Sequence, residues 1–123
     1  MTLGSDAATG IASSNNEIFS TDESSNSLAV TSLVSFSSST YVVGKSPTGV
    51  AVSIGYAYVA NSGDDTVSVF DTSTKKVTST IAVGKNPRAI AVSAEGKSVY
   101  VANAGSNTVS IIPAGRAETS TSG

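Results

Sequence analysis

Val43-Gly44-Lys45-Ser46-Pro47 returns as Val83-Gly84-Lys85-Asn86-Pro87, and this recurrence decides how the rest of the chain is read. Ala51-Val52-Ser53 returns as Ala91-Val92-Ser93 at the same offset of 40 residues. Tyr58-Val59-Ala60-Asn61 then matches Tyr100-Val101-Ala102-Asn103, and Thr66-Val67-Ser68 matches Thr108-Val109-Ser110, both at an offset of 42. Fifteen of the 26 positions from 43 to 68 are identical, well beyond coincidence, so the chain holds a tandem repeat. The slip from 40 to 42 places a two-residue length difference between Ser53 and Tyr58. The first copy has Ile54-Gly55-Tyr56-Ala57 there, and the second has Ala94-Glu95-Gly96-Lys97-Ser98-Val99. A hairpin loop absorbs such a change most easily, and Gly55 and Gly96 supply permissive backbone for its turn.

Each copy divides into short strands separated by turn residues. Val50 to Ser53 gives strand A, and Tyr56 to Ala60 gives strand B. Asn61-Ser62-Gly63-Asp64-Asp65 is a dense turn signal. Thr66 to Phe70 gives strand C, with Val67 and Val69 on one face by the period of two. Lys76 to Val83 gives strand D. The second copy repeats A at 89–93, B at 98–102 and C at 108–112, before Pro113 stops the ladder. Residues 40–43 read as a D-type strand without well-formed A, B and C strands before it. A faint echo lies upstream, where Ile18-Phe19-Ser20 matches strand B and Ser27-Leu28-Ala29-Val30 matches strand C.

The order Pro-x-x-Val/Ile-Ala-Val-Ser, Gly, Tyr-Val-Ala-Asn, Thr-Val-Ser-Val/Ile resembles the YVTN repeat over about residues 40–115, in two copies. Ala60 and Ala102 stand where that motif has Thr. The resemblance implies an all-β fold of β-propeller blades, two four-stranded repeats per chain. Two blades cannot bury their faces, and propellers close with about four to eight. The favoured expectation is therefore a six-bladed ring closed by homotrimerisation, strand 40–43 of one copy completing the last blade of its neighbour, with a two-chain or four-chain ring left open. Residues 1–39 then read as a Ser/Thr-rich polar arm or anchor, 40–115 as the two blades, and 116–123 as a flexible tail.

Composition agrees with a β protein and excludes several functions. The 123 residues are 39% hydrophobic and only 13% charged, too apolar and too weakly charged for wholesale disorder. Residues 1–40 carry four acids (Asp6, Glu17, Asp22 and Glu23) and no cation, a charge of −4. The remainder sets seven cations against five acids, +2, and no basic tract exists for nucleic acid. There is no Cys and no His, so thiolate catalysis, a Ser-His-Asp triad and His- or Cys-based metal centres have no residues to draw on. The opening Met1-Thr2-Leu3-Gly4-Ser5-Asp6 has neither the basic nor the apolar region of a secretory signal.

Candidate sites weigh toward structure. Gly44-Lys45-Ser46 looks like the end of a phosphate-binding loop, but Ser39 stands where the earlier Gly is needed and Pro47 follows. Asp64, Asp65 and Asp71 lack the Ca²⁺-loop spacing and read as turn residues. Glu95 and Glu118 have no identifiable carboxylate partner. Asn61 and Asn103 read as turn caps, and Tyr58 and Tyr100 as packing between blades. The expectation is a protein with no cofactor, no metal, no catalytic residue and no membrane span. It reads as a non-enzymatic structural module on a larger assembly, held to a shell or surface protein through residues 1–39. A phage capsid decoration or head-fibre protein fits, as does an external surface protein. A lectin-like, glycan-binding propeller and a truncated or engineered propeller fragment are the alternatives.

Overall fold

Short Val-, Ser- and Thr-rich runs bounded by Asn, Asp, Ser and Gly fold here into antiparallel hairpins. The computed structural model describes residues 8–14, 16–53, 55–93, 96–113 and 120–122. The first sheet holds β1 (Ala8–Ser14), β2 (Glu17–Asp22), β3 (Ser27–Ser32) and β4 (Ser38–Val42). The second holds β5 (Pro47–Ser53), β6 (Tyr56–Asn61), β7 (Thr66–Asp71) and β8 (Lys76–Ala82). The third holds β9 (Pro87–Val92), β10 (Ser98–Asn103), β11 (Thr108–Pro113) and β12 (Ser120–Ser122). Each sheet is an antiparallel meander in chain order. Neighbouring sheets meet through their first strands, β1 on β5 and β5 on β9, as blades do around an axis.

Two expectations are corrected. Residues 1–39 are not simply an arm, because residues 8–42 form a complete sheet in the register of the other two. Phe19 pairs with Val30 as Tyr58 pairs with Val69, and Thr21 with Leu28 as Ala60 with Val67. The upstream echo is thus strands B and C of a further blade. Its Ser and Thr content misleads because few of its positions face the second sheet, while hydroxyls serve elsewhere. Similarly, residues 116–123 are not only a tail, since Ser120–Ser122 adds the fourth strand beside β11. The described residues therefore form three four-stranded sheets. Ser38–Val42 pairs with β3 of its own sheet, which leaves no spare strand among the described residues to complete a neighbour's blade. Three copies would bring nine blades together, outside the roughly four to eight of closed propellers.

The core lies between sheets. Phe19, Leu28 and Val30 of the first sheet meet Val50, Ala57, Val59 and Phe70 of the second. Tyr58, Val67, Val69 and Ile81 on its other face meet Val99, Val101 and Ile112 of the third. The middle sheet is thus covered on both faces, and Ala57 through Asn61 are all buried. In β10 only Val99, Val101 and Asn103 are buried, while Tyr100 and Ala102 between them are exposed. That alternation is the two-residue period of a strand covered on one side.

The turns repeat the same device. The left-handed residue is Asn26, Asp65 and Asn107 in the three β2–β3-type turns, and Phe36 and Lys75 in the β3–β4 and β7–β8 turns. Asn and Asp tolerate that conformation; a bulky side chain is strained by it. Phe36, at φ +57°, is also exposed. Phe36→Asn is therefore expected to raise unfolding stability by about 0.5–1 kcal/mol, read as a higher urea midpoint at unchanged slope.

Candidate functional site

The polar residues that the repeat places at its loop ends hold the scaffold together. Asn61 is fully buried at the end of β6. It donates Nδ2–H to Thr66 Oγ1 at 3.1 Å and to Ser68 Oγ at 2.9 Å, and its Oδ1 accepts the Gly44 N–H at 3.2 Å. Asn103 repeats the two donations, to Thr108 at 3.2 Å and Ser110 at 2.9 Å. Asn61 thus ties its hairpin to the loop before it, a wider role than capping one turn, whereas the hydrogen bonds of Asn103 stay within its own hairpin. Gly44 is required there, since a Cβ would lie 2.6 Å from Asn61 Cγ.

The Gly-Lys-x loop is no phosphate cradle. Lys45 N–H donates to Asp64 Oδ2 at 2.9 Å, and Ser46 N–H donates to Asn26 Oδ1 at 3.0 Å. In the next loop Asn86 N–H donates to Asp65 Oδ1 at 2.9 Å. The β2–β3-type turns of the first and second sheets thereby hold the lead-in loop of the sheet that follows. Asp64 and Asp65 are spent on these bonds, and no group of acids placed to hold a metal exists among the described residues. Glu95 and Glu118 lie outside the described residues.

Asp71 caps a different turn. The Thr74 backbone N–H, then the Ser73 hydroxyl and N–H, hold its carboxyl below the usual value. A depressed folded pKa favours the folded state above the ordinary carboxylate range and loses that contribution as pH falls through the lowered value. Asp71→Asn, which keeps the turn but not the charge, is expected to flatten this segment of the stability–pH curve. The check is urea unfolding at stepped acidic pH for both proteins.

Two surfaces among the described residues stand out as chemistry the scaffold does not use. The first is the outer face of the third sheet, where Ala89, Ala91, Ala102, Tyr100 and Val109 line an open apolar groove of about 220 Å³. Tyr58 and Val67, the same positions one repeat earlier, are 0% exposed; Tyr100 and Val109 are 42% and 40% exposed. So Tyr58 packs between sheets as expected, and Tyr100 does not. The second is the β3–β4 turn, where Leu33, Val34 and Phe36 stand in solvent. Its counterpart in the second sheet, Thr72-Ser73-Thr74-Lys75, is polar. Neither surface was read from the sequence. Aligning 33–36 with 72–75 carried the signal for the second, but required recognising the first sheet.

The model of the YNCE-like beta-propeller family matches residues 22–122. Kuenenia stuttgartiensis hydrazine synthase is similar over 93% of this chain and 34% of its own, at 29% identity and a TM-score of 0.88. Virginiamycin B lyase from Staphylococcus aureus is similar over 94% of this chain and 41% of its own, at 14% identity and a TM-score of 0.82. A protein of unknown function from Desulfotomaculum acetoxidans DSM 771 covers 96% of this chain and 42% of its own, at 20% identity and a TM-score of 0.80. The chain thus spans well under half the length of these structures. Among curated proteins no sequence relative matches.

Proposed function

Because the chain belongs to the YNCE-like beta-propeller family, we propose that its three sheets form one arc of a larger propeller that serves as a non-enzymatic interaction module on an external surface or virion. One observation carries this reading. The polar side chains at the repeat's loop ends are engaged in holding turns and loops, while a turn that the fold leaves free is apolar at Leu33, Val34 and Phe36. Exposed aliphatic and aromatic side chains on a rigid turn suit contact with another protein better than chemistry on a small molecule. Attachment through residues 1–39 therefore takes the form of an ordered blade presenting that turn. The sequence, without His or Cys, supports the non-enzymatic part of the reading. The lyase and the synthase among the similar structures share the fold, and a fold hosts many functions.

Val34→Asp with Phe36→Asp tests this, since both side chains are exposed and the scaffold does not use them. Immunogold labelling of the producing cells and their particles is expected to find the unaltered protein on outer surfaces. The double variant should fold with an unchanged urea midpoint or better, yet be released into the medium. Label confined to the cell interior, or a variant retained as well as the original, would overturn the reading.

A further inference from the structure

The outer strands of the three sheets do not guard their free edges equally. A bare sheet edge offers unpaired N–H and C=O groups to any further strand, and lysines, bulges or short length blunt it. β8 opens with Lys76 directly after Lys75, and its pairing slips between Val69 and Phe70, which leaves Thr78 out of register. β12 spans Ser120–Ser122 alone. β4 has none of these guards. It pairs with β3 without a break from Ser38 to Val42, and the chain carries no charged residue from Ser24 to Gly44.

Two hydrogen bonds fix which backbone groups of β4 face outward. Val43 N–H donates to the Asn26 carbonyl at 3.0 Å, and Ser32 N–H donates to the Ser37 carbonyl at 2.9 Å. An antiparallel ladder alternates, so Ser37, Ser39, Tyr41 and Val43 turn their backbone toward β3. Ser38, Thr40 and Val42 turn theirs to the free edge. Ser38 commits its hydroxyl to Thr31, which leaves its peptide groups unaffected.

We infer that this edge pairs with the same edge of a second copy, antiparallel and centred on Thr40. The spacing is self-complementary. With Thr40 opposite Thr40 of the other copy, Ser38 falls opposite Val42 and Val42 opposite Ser38. Every such pair joins residues whose N–H and C=O both face outward, as a hydrogen-bonded pair requires. A shift of one residue would set outward groups against residues already bonded to β3, and a shift of two would strand one outward residue at each end. The contact is isologous, one patch used twice. No charge in the segment repels a second copy. Val42, 79% exposed, also comes beside the start of the other β4, next to the turn that carries Phe36, 68% exposed. A strand from another protein would find the same peptide groups, but only the copy is singled out by the symmetric register. The 5 residues a side fall well short of the roughly 20–30 of a standard interface, so the dimer forms and parts with concentration.

This pairing needs the first sheet to be ordered, but not the attachment proposed above. Because the full chain has no Cys, single introduced cysteines read the register. Under mild oxidation Thr40→Cys should give a disulfide-linked dimer, its Cα atoms about 5.5 Å apart across the axis. Ser38→Cys alone and Val42→Cys alone should not, since like residues stand roughly 14 Å apart. An equal mixture of those two should link. In native mass spectra of the otherwise unaltered chain, Thr40→Lys should lower the dimer fraction about fivefold or more, because like charges meet on the axis. Thr80→Lys, the matching place on β8, should not. Both threonines are exposed, so the fold tolerates either change. Thr40→Lys leaves Leu33, Val34 and Phe36 in place, so retention on an outer surface is read separately. Thr40→Cys linking no faster than Ser38→Cys would overturn the inference, as would a dimer that Thr40→Lys leaves undiminished or that Thr80→Lys weakens equally.

Discussion

Phe19→Ala is expected to destabilise the chain by about 3–5 kcal/mol, the ordinary cost of emptying a buried aromatic site. Phe19 is 1% exposed and packs with Leu28, Val30, Val59 and Phe70. It therefore joins the first sheet to the second across the core. Deleting it removes apolar burial on both sides and leaves a cavity that the flanking strands, locked by their ladders, fill only in part. If residues 8–42 were a mobile segment, the same substitution would change the urea midpoint hardly at all. Val34→Ala, in the same sheet but 75% exposed, is the control and is expected to be near neutral. Domains of this size hold only about 5–15 kcal/mol in total, so the Phe19 variant should be visibly closer to unfolding at room temperature.

Asn61→Ala is expected to cost about 3 kcal/mol, because it strips partners from three groups at once. The Gly44 N–H loses its acceptor, and Thr66 and Ser68 lose a donor, at a side chain fully sealed from water. Asn61→Asp should be worse. It keeps an acceptor for Gly44 but places a charge in the same buried position, where no cation is found among its partners. Asn103→Ala should cost less than Asn61→Ala, since the Asn103 Oδ1 accepts no hydrogen bond among the described residues. Urea unfolding at neutral pH would rank the three variants. Equal, small losses for all would mean that these asparagines merely end their strands.

The second and third sheets were legible because the same residues occur twice in the same order, and Gly, Pro and Asn mark their turns at positions the backbone requires. The loop slip at Gly55 and Gly96 was legible for the same reason, and both glycines have positive φ. The first blade was hidden by its composition. Phe19 and Leu28 stand for Tyr58 and Val67, and Asp22 for Asn61, so identity vanishes while the pairing survives. Phe19, Leu28 and Val30, with Ala12 and Tyr41 packed beside them, cover the second sheet, and seventeen Ser and Thr in the first 40 residues conceal them. The open face of the third sheet was illegible in a different way. Tyr58 and Tyr100 have the same local sequence, and their difference in exposure arises from what lies across from them, which no local pattern encodes.

Native-state amide hydrogen exchange followed by NMR tests the central claim, that the leading segment is a blade, most directly. Amides of Glu17–Asp22 and Ser27–Ser32 that donate to their sheet should exchange slowly, within about tenfold of the matching amides in Tyr56–Asn61 and Thr66–Asp71. Exchange of the first group at unfolded-chain rates, beside protected amides in the second, would contradict it and return residues 1–39 to an arm.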